Sequence, residues 1–125
     1  MALIHGEVTD AIVGAFYSVY NELRYGYFET VYKPALEIEF TRRKVRYVRE
    51  MALDVMYKGI VVGVYRADFL VAGRVVVEVK ATRQTGDADR RQLLNYLRST
   101  NQEVGLLLHF GPKAVFHRMV FTREE

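Results

Sequence analysis

The 125-residue chain contains no cysteine. Disulfides and thiolate metal sites are therefore excluded, and the composition suits a reducing compartment. No apolar run approaches the ~20 residues of a membrane span. The opening residues, MALIHGEVTD, lack both the basic start and the apolar core of a signal peptide. We therefore expect a cytoplasmic protein without a membrane partner. There is no Gly-rich phosphate loop and no nucleophile–base arrangement. The three histidines, His5, His109 and His117, have no ligand spacing, which argues against metal chemistry by histidine. Internal repeats, linkers and low-complexity tracts are also missing, so residues 1–125 are expected to form a single domain.

What is present is ordinary globular composition, half apolar and 26% charged. The net charge is +3 and the pI about 9.2, basic enough to permit a nucleic-acid partner without requiring one. Basic residues gather at Arg42, Arg43, Lys44, Arg46 and Arg49, and again at Arg83, Arg90, Arg91 and Arg98. Such clusters are either a solvated face or a set of phosphate contacts.

Apolar spacing predicts a helix over 7–23 and a second over 28–43, with Phe28, Val31, Tyr32, Ala35, Leu36, Ile38 and Phe40 as its apolar surface. Pro34 falls inside the second helix, so a kink or a later start is expected. Strands follow at 45–56, which can be interrupted, and at 60–71 and 75–81, the last two joined by a turn at Ala72, Gly73 and Arg74. Thr85, Gly86 and Asp87 can cap a helix over 88–99. Strands at 104–110 and 114–121 complete an α-α-β-β-β-α-β-β order. The strand–helix–strand passage implies a parallel pair within an otherwise antiparallel sheet.

Charge is out of place in the stretch YRADFLVAGRVVVEVK, residues 65–80. Asp68, Glu78 and Lys80 lie among valines, where a charge costs several kcal/mol unless it is paired, hydrogen-bonded or metal-bound. A three-residue turn pairs Val71 with Val75, places Asp68 opposite Glu78, and sets Arg66 facing Lys80. A two-residue turn instead pairs Asp68 with Val77 and separates the carboxylates. Two carboxylates one strand apart make a hard-oxygen site for Mg²⁺ or Mn²⁺. The alternative is an ion-pair network in which Lys80 and Arg66 neutralise them. Gln92 and Tyr96 share one helical face and can lie over the strand carrying Glu78 and Lys80.

Asp68, Glu78-x-Lys80 and Gln92-x-x-x-Tyr96, on strand, strand and helix, resemble the PD-(D/E)XK nuclease superfamily. The last pair is similar to the motif of its RecB-like branch. Gly26, Glu29 and Tyr32 match the G-x-x-E-x-x-Y signature of the small GxxExxY proteins. The resemblance implies an α/β, restriction-endonuclease-like αβββαβ core, here with an extra N-terminal helix and a C-terminal strand. It implies a divalent metal, Mg²⁺ or Mn²⁺, with Asp68, Glu78, the Val79 carbonyl and Glu29 as ligands. Lys80 would be the catalytic lysine, and Gln92 and Tyr96 would orient substrate. The chain departs from the family pattern at Tyr20, where histidine is frequent, at Arg24-Tyr25-Gly26, at Pro34, and at Ala67 in the place of the motif's proline.

The expected function is a metal-dependent nuclease acting on DNA, or alternatively on RNA, with weak sequence preference or specificity lent by a protein partner. Backbone phosphates would be met by Arg66, Arg83 and Arg91. Two other readings stand beside it. One is a binding or assembly module that keeps the fold without turnover. The other is a structural ion-pair network in a homo-oligomer whose apolar edge strands are buried between subunits.

Overall fold

The computed structural model describes residues 5–84 and 86–123. Helix α1 spans Gly6–Leu23 and α2 spans Glu29–Arg42. Strands β1 (Tyr47–Tyr57), β2 (Ile60–Val71) and β3 (Val75–Lys80) follow. Helix α3 (Asp87–Ser99) leads into β4 (Val104–Phe110) and β5 (Ala114–Val120). The five strands form one sheet in the order β1-β2-β3-β4-β5. Only β3 and β4 run parallel, as the helix between them requires, and every other neighbour pair is antiparallel.

Helices cover both faces. On one face, Ile12, Phe16 and Val19 of α1 and Tyr32, Leu36 and Phe40 of α2 pack on Phe69, Val71, Val77, Val79, Leu106 and Phe110. On the other, Leu93 and Leu97 of α3 pack on Tyr65, Ala67, Leu70, Val76 and Leu107. Strand β4 is buried along its whole length because both layers close over it. Phe110 anchors the first layer: the Tyr32 ring stacks on it at 4.1 Å and the Phe16 ring meets it edge-on at 4.8 Å.

Helix α2 departs from the expected surface. It begins at Glu29, one residue later than its apolar pattern indicated, and continues through Pro34. Tyr32, Leu36 and Phe40 are buried, but Phe28, Val31 and Ile38 are exposed. The buried stripe is therefore narrow, and Phe28 caps the helix instead of packing under it. Helix α3 starts at Asp87 with Gly86 as N-cap, and the Asp89 carboxylate accepts the Gly86 N–H at 3.4 Å. Thr85 lies outside the described residues.

Part of the first basic cluster is spent on packing. Arg43 lies across Gly14, donating to its carbonyl at 3.2 Å and to the Ser18 hydroxyl at 2.8 Å. A Cβ at residue 14 would come within 2.9 Å of that guanidinium, so glycine makes room for this clamp between α1 and α2. Arg49 pairs with Glu37 at 2.8 Å.

The sheet changes near Asp68. Strand β2 pairs with β3 only through Phe69, Leu70 and Val71, opposite Val77, Val76 and Val75. Beyond that point β2 continues with β1 alone, as a two-stranded arm. In the β1–β2 ladder, Arg49 pairs with Phe69 and Met51 with Ala67, while Glu50 and Asp68 do not pair. Glu50 has a left-handed backbone, φ 55. Phe69 and Val71 face α1 and α2, yet Ala67 and Tyr65, in the same alternation, face α3. The strands therefore switch faces at Glu50 and Asp68. The first strand is not interrupted: it runs unbroken over Tyr47–Tyr57, with this change of face and a register shift between Val55 and Met56.

Phe110→Ala should cost about 3–5 kcal/mol through lost burial and the cavity left against Phe16 and Tyr32. Urea unfolding would register this as a large fall in midpoint with little change in slope.

Candidate active site

The turn has three residues, Ala72, Gly73 and Arg74, between paired Val71 and Val75. Ala72 and Gly73 both have positive φ, 54 and 67. This register brings Asp68 and Glu78 together where β2 and β3 part. Their contact is more specific than a cross-strand pair. The Asp68 carboxylate accepts the Val79 N–H at 2.7 Å. The Glu78 carboxylate accepts the Asp68 N–H at 3.4 Å. Each side chain thus takes a backbone donor from the opposite strand just where the ladder has stopped supplying partners.

Two residues not identified from the sequence complete the fork. Lys33, on α2, sets its ammonium 2.8 Å from Asp68 Oδ1 and 3.5 Å from Glu29 Oε1. Its side chain is only 18% exposed and that of Asp68 16%. Burial draws the Lys33 pKa down, but Asp68 and Glu29 together more than offset this, so the ammonium is held charged. Tyr65, on β2, donates its hydroxyl to Glu78. Burial, followed by the Glu78 charge, pushes the Tyr65 phenol up and keeps it a donor. Lys33 is four residues after Glu29, a spacing that signals an ion pair on a helix, although its reach to Asp68 depends on the tertiary fold. Tyr65 could be found only by knowing where the strand switches faces.

Glu78 is the strained charge. Burial is the largest cause of its upward shift, the neighbouring Asp68 carboxylate adds to it, and its pKa is pushed up to about 7. The Tyr65 hydroxyl, the Lys80 charge and the Asp68 N–H pull the other way without cancelling it. Lys80 is half-buried on β3, opposite His109 of β4, and is absent from the described ion pairs. The expected Arg66–Lys80 apposition does not form, because the β2–β3 ladder ends three residues short of Arg66. That side chain is exposed, opposite Ala52 of β1.

On α3, the Tyr96 ring stacks on Tyr65 at 3.9 Å and 5°. Tyr96 is therefore linked to Glu78 through Tyr65. Gln92, one turn earlier, is exposed, as are Arg91 and Arg83. Arg90 pairs with Asp87 on its own helix, and Arg98 lies over the Phe121 ring.

The model of the PD-(D/E)XK nuclease superfamily matches residues 6–120. The chain belongs to this superfamily. No curated protein matches it. A similar solved structure is the crystal structure of SSO0001, with a TM-score of 0.54 and 20% identity, over 76% of this chain and 50% of that one. At that identity the likeness concerns the fold, and this chain spans half the length of that protein. The mixed five-stranded sheet flanked by helices is the restriction-endonuclease-like arrangement of the superfamily. No helix among the described residues is long and apolar enough to cross a membrane.

Members of the superfamily generally use divalent metals, and the donor chemistry of the fork suits one. Among the described residues, no three acidic or histidine side chains converge as a ready-made cluster. Asp68 and Glu78 supply hard oxygen donors, each tied to the other's strand through the Val79 and Asp68 amides, and Mg²⁺ is commonly held by one or two carboxylates with water completing the shell. Burial and the neighbouring Asp68 charge disfavour ionised Glu78, and a nearby cation would favour it. Glu29 is engaged by Lys33, so the early helix presents its carboxylate with an ammonium already beside it.

With Glu78 raised in the fold from an ordinary value of 4.5, its contribution to stability is present below 4.5 and is lost as pH rises through about 7. Glu78→Gln keeps acceptors for Tyr65 and the Asp68 N–H but removes the charge. In EDTA this variant should be more stable than the wild type by roughly 1–3 kcal/mol at pH 8.5, with the difference closing toward pH 5. Paired denaturant titrations at the two pH values measure this, and a variant less stable at pH 8.5 would contradict it.

Proposed function

We propose that this protein is a divalent-metal-dependent nuclease that hydrolyses phosphodiester bonds of DNA, with RNA as the alternative substrate. The observation that carries this reading is the fork. Two carboxylates each accept an amide from the opposite strand, with a lysine one alternate step along β3, and neutral acceptors would satisfy those amides without burying two like charges together. We assign Asp68, Glu78 and the Val79 carbonyl to Mg²⁺ or Mn²⁺, with Glu29 contributing directly or through water. When bound, the ion supplies the Lewis acidity that polarises a phosphodiester and acidifies water.

The chain's own residues do the rest. Lys80 stabilises charge developing on the phosphate. Tyr65, backed by the Tyr96 ring, fixes the Glu78 carboxylate in place. Gln92 and Tyr96 orient substrate, and exposed Arg66, Arg83 and Arg91 contact its backbone, making binding salt-sensitive. The spacing of Gly26, Glu29 and Tyr32 and of Gln92 and Tyr96 supports placement in the GxxExxY group with a RecB-like motif. We take residues 1–125 as one catalytic domain working in the cytoplasm, with weak sequence preference of its own and with specificity or oligomerisation supplied by partner chains.

A second reading is favoured by one observation. Lys33 already places a positive charge between Glu29 and Asp68, which would suit a nucleic-acid-binding or assembly module that has given up turnover.

Labelled single- and double-stranded DNA and RNA, incubated with Mg²⁺, Mn²⁺ or EDTA, separate the two readings. Cleavage should require metal and should fall by about 100-fold or more in Asp68→Ala and in Lys80→Ala. Binding without cleavage in any metal would establish the module instead.

A further inference from the structure

Phe28 is 83% exposed, and Tyr27 and Tyr25 beside it are 48% and 42% exposed. A helix N-cap usually carries a short polar side chain that accepts a backbone N–H. Phe28 holds that position for α2 and makes no side-chain cap bond. The helix therefore gives no reason for phenylalanine, and the core gives none either.

The exposure is held by a built loop. Gly26 has φ 125, a conformation suited to glycine, and Arg24 takes a positive φ of 63. The Tyr32 hydroxyl donates to the Arg24 carbonyl at 2.6 Å and accepts the Tyr27 N–H at 3.2 Å. Tyr32 is itself buried against Phe110. The Arg24 N–H is bonded to the Tyr20 carbonyl at 2.8 Å. Core residues thus fix the loop at Arg24 and at Tyr27, and Phe28 follows at once with its ring turned toward water. The next residue is Glu29, which connects through Lys33 to Asp68.

An aromatic ring exposed to solvent one residue before Glu29, with the exposed Arg24 in the same loop, has the parts of a stacking platform. Every nucleobase offers a π-face, and stacking on aromatic side chains with basic groups on the phosphates is how single strands are held without sequence preference. A duplex keeps those faces covered. We propose that Phe28, flanked by Tyr27 and Tyr25, stacks on an unpaired nucleobase, so that the site takes single-stranded nucleic acid. This inference rests on the nuclease reading of the fork.

The test uses short single strands of DNA and of RNA carrying 2-aminopurine, and the same strands in duplexes, titrated with Ca²⁺ present and Mg²⁺ and Mn²⁺ absent. The wild type should quench the fluorophore on single strands. Phe28→Ala should bind them roughly tenfold more weakly, without quenching and with an unchanged melting temperature. Phe28→Trp should restore both. The DNA and RNA arms show which sugar is accepted.

Single-strand binding by Phe28→Ala equal to that of the wild type would overturn the platform, as would equal losses on single strands and duplexes or a wild type that binds no nucleic acid. If the wild type cleaves in Mg²⁺ or Mn²⁺ while Phe28→Ala binds and cleaves identically, only the platform fails. If the wild type cleaves nothing in either metal, the nuclease reading fails with it.

Discussion

Where β2 and β3 separate, backbone donors lose their ladder partners, and two carboxylates replace them. The Val79 N–H goes to Asp68 and the Asp68 N–H goes to Glu78. A buried amide without a partner costs on the order of 1–3 kcal/mol, so these bonds stabilise the opening instead of leaving a defect. They also tie the position of each acid to the backbone of the other strand. Truncating either side chain to one without an acceptor would leave an unsatisfied amide, and the fork cannot be closed without changing the register of β2. The three-residue turn sets the register that leads into this separation, the strands switch faces at Glu50 and Asp68 beside it, and the β1–β2 arm continues beyond it.

The layers on either side supply the electrostatics. From one face, α2 brings Lys33 to Asp68. From the other, Tyr65 and its stacked neighbour Tyr96 reach Glu78. Asp68 is thus offset by a full charge, whereas Glu78 is offset by a hydroxyl, an amide and the Lys80 charge; burial first, and then the Asp68 charge, pushes its pKa up to about 7. Lys33 is the charge that holds the Glu29 and Asp68 carboxylates near one another.

Much of this was legible in the residues. The order of elements follows from apolar periodicity, and the parallel β3–β4 pair follows from the helix between them. Asp68, Glu78 and Lys80 stood out because valine-rich strands do not carry charge without cause, and the odd turn around Gly73 followed from requiring the acids to meet. Alternation along β2 misled beyond Phe69, because a strand that switches faces breaks the two-residue period on which the argument rests. For that reason Tyr65 was missed and Arg66 was set opposite Lys80. On α2, apolar type does not track burial. Phe28, Val31 and Ile38 face water, and no composition rule separates an exposed phenylalanine from a buried one. Basic clusters were the least informative signal, since Arg43, Arg49 and Arg90 are engaged within the fold.

The central claim is that the parting strands create a divalent-cation site at Asp68 and Glu78. Crystals grown with Mn²⁺ and measured at its absorption edge test this most directly. The account predicts an anomalous peak coordinated by both carboxylates, with Lys33 displaced from Asp68 or reoriented. A map with no peak at the fork, and the Lys33–Asp68 contact unchanged at saturating Mn²⁺, would contradict it.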